Sequence, residues 1–350
     1  MMRAILTITL LGAVAAPATG QDHRVEARAV IRETAARAYR GGEAAQRQDS
    51  REQVERTTRT LKIGANGELQ LANISGDIVV TRGGGSDVSV EIVKTARGRT
   101  DDDARELLQL VQVEVVERGG RAEVKTQYPQ GDEMRRNNRR NMNVSVAYTV
   151  SAPAGIRLRA SSISGSITVK DIKGDVSAES VSGNVQFFNG GRITSAKSIS
   201  GNVELNDTAI DGNFNASSVS GSVILRRVKA RQLDLGSISG EVVLDDVDSQ
   251  QVEAQTVSGN LKFGGPVTKG GRYELSSHSG NVSVALGGST GFEVEATSFS
   301  GSIKSDFSFN SGSGDQGNTR WRKSIRGVYG DGSAVLDLTT FSGSIVITKR

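Results

Sequence analysis

From Ala160 onward, apolar and polar residues alternate in short runs, and the runs restart at a regular interval. The dipeptide Ser-Gly marks each restart. It occurs at Ser164-Gly165, Ser182-Gly183, Ser200-Gly201, Ser220-Gly221, Ser239-Gly240, Ser258-Gly259, Ser279-Gly280 and Ser300-Gly301, so successive copies stand 18–21 residues apart. A ninth copy set in the repeat pattern, Ser342-Gly343, follows 42 residues later and reads as two further periods; an outlying copy sits at Ser75-Gly76. Written out, the unit is small-or-Leu, any, Ser/Thr, apolar, Ser, Gly, polar, apolar, any, apolar, as in Ala178 to Phe187. After each glycine the apolar residues fall at alternate positions (Val185 and Phe187, Val203 and Leu205, Val242 and Leu244), the period-two signature of a half-buried strand.

One unit cannot cover its own apolar edge, whereas stacked copies can. The pattern therefore predicts an all-β chain, a parallel β-helix or β-solenoid with ~18–21-residue coils. Three inward columns are expected. The first holds Val185, Val203, Val223, Val242 and Leu261. The second holds Ile163, Val181, Ile199, Val219, Ile238 and Val257, and the third Ala160, Ala178, Ala196, Ala216, Leu235 and Ala254. The glycine column marks a corner that needs either positive φ or close backbone approach. The serines at 162, 180, 198, 218 and 237 read as a structural hydrogen-bonding ladder along the stack. Asn206-Asp207, Arg226-Arg227 and Asp245-Asp246 alternate in sign and predict an acid–base edge that holds register. Spacings that drift from 18 to 21 fit a strict hexapeptide left-handed coil poorly and favour a right-handed one.

The flanking segments divide the chain further. Residues 21–56, rich in Arg, Glu, Ala and Gln, read as a partly helical or disordered spacer. Residues 57–155 read as a β-rich segment with one short helix at 101–110, opened by Thr100 and three aspartates in a capping arrangement. Because Ile74-Ser75-Gly76-Asp77-Ile78 matches the repeat core, this segment is expected to begin or cap the solenoid. Residues 156–350 form the solenoid proper, with an insertion at 305–336, and Phe341 to Ile347 return to the repeat to close the C-terminal end.

Composition narrows the class of object. Glycine reaches 42 residues while proline stands at 4 and aromatics at 4%, which suits repeated tight turns better than an aromatic-lined enzyme pocket. The net charge of +4 is spread over 43 basic and 39 acidic residues, too even to predict nucleic-acid binding. With no cysteine, disulfides, thiolate metal sites and cysteine nucleophiles are excluded. Met1-Met2-Arg3, the apolar run Ala4–Ala16 and small residues up to Gly20 predict a secretory signal peptide over 1–20, cleaved near Gly20, and hence an exported protein of the periplasm or outer surface.

A signal peptide, a spacer, a β-rich segment with one helix and then Ser-Φ-Ser-Gly-x-Φ-x-Φ coils (Φ apolar) resemble a bacterial envelope family of unknown function, labelled "putative adhesin". The resemblance covers roughly residues 57–350. It implies an exported repetitive architecture and carries no catalytic residues with it.

The candidate chemistry is sparse. His23 stands alone, and His278 replaces an apolar residue of the second column, so no histidine pair is available for a metal. The repeated serines lack a nucleophile elbow, and adjacent carboxylates such as Asp245-Asp246 would face opposite sides of a strand. No catalytic residue, cofactor or metal is therefore expected. Two surface features qualify as binding sites. Arg135, Arg136, Arg139 and Arg140 form a basic loop that is either solvated or meets lipid headgroups, acidic glycan or phosphate. Arg320, Trp321, Arg322 and Lys323 either cap the solenoid end or present an aromatic plate among cations to sugars or anionic polymers. The sequence favours a non-enzymatic, monomeric envelope or surface protein that binds an envelope glycan, a membrane surface or a protein, and no nucleic acid. An envelope-stress or regulatory role through residues 21–56, and a polysaccharide-degrading β-helix with its site in 305–336, are the alternatives.

Overall fold

The computed structural model describes residues 51–129, 143–309 and 324–350. The predicted signal peptide, nearly all of the spacer and all eight candidate binding residues lie outside these ranges. The chain opens on β1 (Arg51–Leu61), β2 (Glu68–Ser75), β3 (Ile78–Arg82) and β4 (Val88–Gly98). Helix α1 (Asp101–Leu110) follows, then β5 (Gln112–Arg118), β6 (Arg121–Gln127) and β7 (Val144–Ala152). The repeats supply β8 (Arg157–Ser164), β9 (Ile167–Lys170), β10 (Asp175–Ser182), β11 (Val185–Phe188), β12 (Arg192–Ser198) and β13 (Val203–Ala209). They continue through β14 (Asn213–Ser218), β15 (Val223–Ser237), β16 (Val242–Thr256), β17 (Leu261–Pro266), β18 (Arg272–Ser279) and β19 (Val282–Gly287). The C-terminal part holds β20 (Phe292–Ser298), β21 (Ile303–Ser305), β22 (Ser324–Tyr329), β23 (Ala334–Ser342) and β24 (Ile345–Lys349).

The fold is all-β and solenoid-like, with one helix among the described residues. Strands from successive repeats pair in parallel and in register. Val185 lies between Ile167 and Val203, and the row continues through Val223, Val242, Leu261 and Val282. Every side chain in that row is fully buried. So is the row Ala178, Ala196, Ala216, Leu235 and Ala254. At ~1.5–3 kcal/mol for each fully buried Val, Leu, Ile or Phe, the first row is a large favourable term in folding.

The expected second column is not in the core. Ile163, Val181, Ile199, Val219, Ile238 and Val257 all face solvent. The reason is parity. Ala178 and Val181 are three residues apart, and a strand turns alternate side chains to opposite faces. The inward position is Ser180, and the repeat as a whole buries Ser162, Ser180, Ser198, Ser218 and Ser237 there. Four of these hydroxyls donate to a glycine carbonyl one coil back: Ser180 to Gly165 (3.0 Å), Ser198 to Gly183 (2.9 Å), Ser218 to Gly201 (2.8 Å) and Ser237 to Gly221 (2.8 Å). From Gly165 onward the glycine corner is a close approach and not a positive-φ turn; in the outlying copy Gly76 has both. A Cβ on Gly201 would sit 2.2 Å from the Gly183 carbonyl oxygen.

Both ends of the stack depart from sequence order. At the N-terminal end β2 and β3 lie between β6–β7 on one side and β8–β9 on the other. Antiparallel strands then cover the outermost coil: β5 on β6, and β4 followed by β1 on β7. The strand that begins at Arg51 takes over the end of the predicted spacer, fixed by cross-strand pairs such as Arg97–Glu52 at 2.8 Å. Helix α1, capped by Thr100 accepting from the Asp103 amide at 3.1 Å, buries Ala104, Leu107 and Leu108 against β4 and β1.

At the C-terminal end β23 and β24 are inserted between β18–β19 and β20–β21. The expectation that the last repeat closes the end is therefore corrected: the outermost coil is the earlier one, Phe292–Ser305. Two of its features favour the outer place. β22 pairs antiparallel with β20, and Phe307 and Tyr329 pack their rings on Phe292, 5.1 and 5.4 Å between centroids. The first coil in sequence, β2–β3, and the last, β23–β24, thus each occupy a slot one coil inside the end of the stack, with a partner on each side.

Candidate functional site

The displaced column is the most distinctive surface of the described residues. It starts at the half-buried Ile74 and runs through Ile163, Val181, Ile199, Val219 and Ile238. It then passes Val257 and His278 and, following the stacking order of the coils, Phe341 and Phe299. Exposure reaches 52% at Ile163 and 60% at Phe299. His278 stacks on Phe341 with centroids 5.0 Å apart, and Phe341 on Phe299 at 4.6 Å, all three rings nearly parallel. The aliphatic ladder therefore ends in a short aromatic stack.

Its position is fixed from both sides. On the inner side, the buried hydroxyls continue with Thr256, Ser277, Ser298 and Thr340, each within 3.0 Å of a glycine carbonyl. Beyond the glycine, Asn184, Asn202, Asn260 and Asn281 each accept a backbone amide of the next coil through Oδ1, at 2.8–3.0 Å. Asp77 does the same for Ser166 at 2.8 Å. The apolar side chains are thus held on a corner that hydrogen bonds prevent from slipping.

The flanks of the ladder carry little charge. One side is the exposed serine column Ser164, Ser182, Ser200, Ser220, Ser239 and Ser258. The other side carries Glu179 and Lys197 in neighbouring coils and then Ser217, Gly236, Gln255, Ser276 and Thr339, which face a shallow groove of about 590 Å³. Charge gathers elsewhere. At the edge after the second strand, Arg227 donates to Asp207 at 2.5 and 2.9 Å, and Arg350 reaches Asp245 at 3.3 Å. The hydrogen bond from Arg227 holds the Asp207 carboxyl below the usual carboxylate range. The alternating acid–base edge is present as this pair, on a backbone where Asp171, Asn189, Asp207, Arg227 and Asp246 all adopt positive φ. Glu241 is likewise held low, by Asn260 and then by Lys262.

None of the eight sequence-derived candidates, Arg135, Arg136, Arg139, Arg140, Arg320, Trp321, Arg322 and Lys323, falls within the described residues. Among the described residues no group of three His, Asp or Glu side chains stands close enough to hold a metal, and no helix is long and apolar enough to cross a membrane. The ladder residues were visible in the sequence but assigned to the core; the parity between Ala178 and Val181 was the available signal.

A stack of parallel strands with antiparallel end covers and an exposed apolar edge defines a solenoid-like repeat protein. The chain belongs to the family described as Toastrack DUF4097, which matches residues 66–348. Among solved structures, a "putative adhesin" from Parabacteroides merdae is 11% identical with a TM-score of 0.47, covering 84% of this chain and 96% of its own. A "putative lipid binding protein" from Parabacteroides distasonis is 16% identical with a TM-score of 0.36, covering 66% and 90%. A "putative cell adhesion protein" from Clostridium sporogenes is 11% identical with a TM-score of 0.22, covering 86% and 100%. No curated protein matches the chain in sequence.

Proposed function

We propose that this protein is a non-catalytic, exported envelope or surface protein: a parallel β-helical rod of ~18–21-residue coils that binds through its apolar ladder. The observation that carries the reading is the outward column from Ile163 to Phe299, repeated coil after coil where a soluble rod needs no apolar residue. A single exposed Leu or Val is ordinary on a protein surface, but a contiguous row is the mark of an interaction site. Export is supported by the sequence pattern of residues 1–20. The non-catalytic reading is supported by the ladder's chemistry, in which the only titratable side chain, His278, is engaged in a ring stack.

The test compares wild type with the double variant Ile199→Asp, Ile238→Asp. Each is assayed for retention on insoluble peptidoglycan and on phospholipid vesicles, for hydrodynamic mass, and for release of reducing sugar. Association that the variant loses at unchanged melting temperature is expected. Indifference of every association to the variant, or sugar release by the wild type, would overturn the proposal.

A further inference from the structure

Resting on the reading of the ladder as a binding edge, we infer that its occupant is the same ladder of a second copy of this chain, the two rods lying side by side about a two-fold axis. Three observations point to this partner. The first is area. From the exposures of the ladder side chains, the row presents roughly 600–700 Å² of contiguous surface, more than the ~300–600 Å² of the largest patch on a typical monomer. Two copies would bury roughly 1,300 Å² from the ladders alone, within the ~1,200–2,000 Å² of stable specific interfaces.

The second is period. Side chains in the row recur at the strand spacing of ~4.8 Å over roughly 38 Å. A surface that meets such a row evenly must carry knobs at the same interval, and another coil stack does. A two-fold pairing sets each row against an identical one, the self-complementary arrangement such dimers require.

The third is the flanks. Serine borders one side; on the other, Glu179 and Lys197 stand beside Val181 and Ile199, and from Val219 onward Ser217, Gly236, Gln255, Ser276 and Thr339 form an uncharged border that a second backbone can approach closely. Lipid headgroups would call for Lys or Arg beside the apolar row. Here Lys197 stands next to Glu179, its partner one coil back in the strand register. A sugar would stack on an aromatic face, but both faces of Phe341 are covered, by His278 and by Phe299.

The experiment is sedimentation equilibrium of the exported protein, expressed from the full chain, over roughly 1–100 µM. A mass of two chains is expected for wild type. One chain is expected for Ile199→Asp, Ile238→Asp at unchanged melting temperature and circular dichroism. Because the chain has no cysteine, Ile238→Cys supplies a single thiol; a short bis-maleimide is expected to join two copies covalently on a denaturing gel, whereas Lys229→Cys, exposed and off the ladder, keeps the two-chain mass but is not cross-linked. Wild type that remains one chain at 100 µM, or a dimer that persists in the double Asp variant, overturns the pairing. A monomer that binds neutral vesicles through the ladder overturns the pairing but leaves the binding edge standing. A monomer that binds nothing through the ladder overturns both.

Discussion

Ser218 donates its hydroxyl to the carbonyl of Gly201, 2.8 Å away and one coil back. The same bond recurs up the stack and interrupts once: Ser162 Oγ has no protein partner among the described residues. Gly76, which by register stands where its acceptor would be, receives Asn73 Nδ2 at 2.8 Å instead. Ser218→Ala removes a buried donor and should cost ~1–2 kcal/mol. Ser162→Ala removes a hydroxyl already without a protein partner and should cost under ~0.5 kcal/mol, read from the two denaturation midpoints. Equal losses would show that the column acts through packing alone.

Gly201→Val tests the corner. Its Cβ would meet the Gly183 carbonyl oxygen at 2.2 Å and the carbonyl carbon at 2.5 Å, both backbone atoms that move only if two coils part. Overpacking of this kind costs about 3 kcal/mol or more. The exposed Lys229→Ala should stay within ~0.5 kcal/mol. Matching melting temperatures for the two variants would remove the close-approach explanation for the glycine column.

The physics of the repeat was legible wherever one rule acted alone. Val185 and Phe187 alternate, recur in the neighbouring repeats and are buried as their period requires. The Ser-Gly spacing located the coils, and the Thr100 cap with its three aspartates located the helix. Where two rules compete, hydrophobicity or spacing alone misplaces the residue. Hydrophobicity put Ile163 and Val181 inside, but strand parity gives the inner place to serine, whose hydroxyl finds a carbonyl there. Sequence spacing put Ser342-Gly343 two periods beyond Ser300-Gly301, but spatial order is set by which strands pair, and Thr340 pairs with Ser277. The candidate site was therefore legible as residues and misplaced as a surface.

That exchange of order predicts an unusual response to truncation. Deleting residues 331–350 removes β23 and β24, which carry the parallel partners of both β18–β19 and β20–β21. In a stack built in sequence order, losing the last coil would leave Phe292–Ser305 protected on the coil before it. Here that segment keeps only the antiparallel strand β22. Limited proteolysis of the truncated chain should cut within 292–305 while leaving 157–266 resistant. Protection of 292–305 would mean that it can dock directly on β18 and β19.

Tyr148 sets the alkaline limit of the N-terminal end. Its ring is fully buried, and its hydroxyl is hydrogen-bonded to Thr126, which also donates to Asn73 Oδ1 at 2.9 Å. Burial pushes the phenol up to about 12, against a partial lowering by the bond to Thr126. The folded state therefore holds this proton more tightly than the unfolded chain, whose tyrosines ionise near 10. The resulting stability is fully present below pH ~10 and is lost as the pH rises toward 12. Burial also pushes Tyr128 and Tyr273 up, so absorbance at 295 nm should show delayed tyrosine ionisation with a last component near pH 12, that of Tyr148, which titrates together with the loss of β-sheet circular dichroism. Tyr148→Phe should abolish that late step and cost about 1 kcal/mol at neutral pH through the lost hydrogen bond. Ionisation of Tyr148 near pH 10 without unfolding would mean that water reaches the space between β6 and β7.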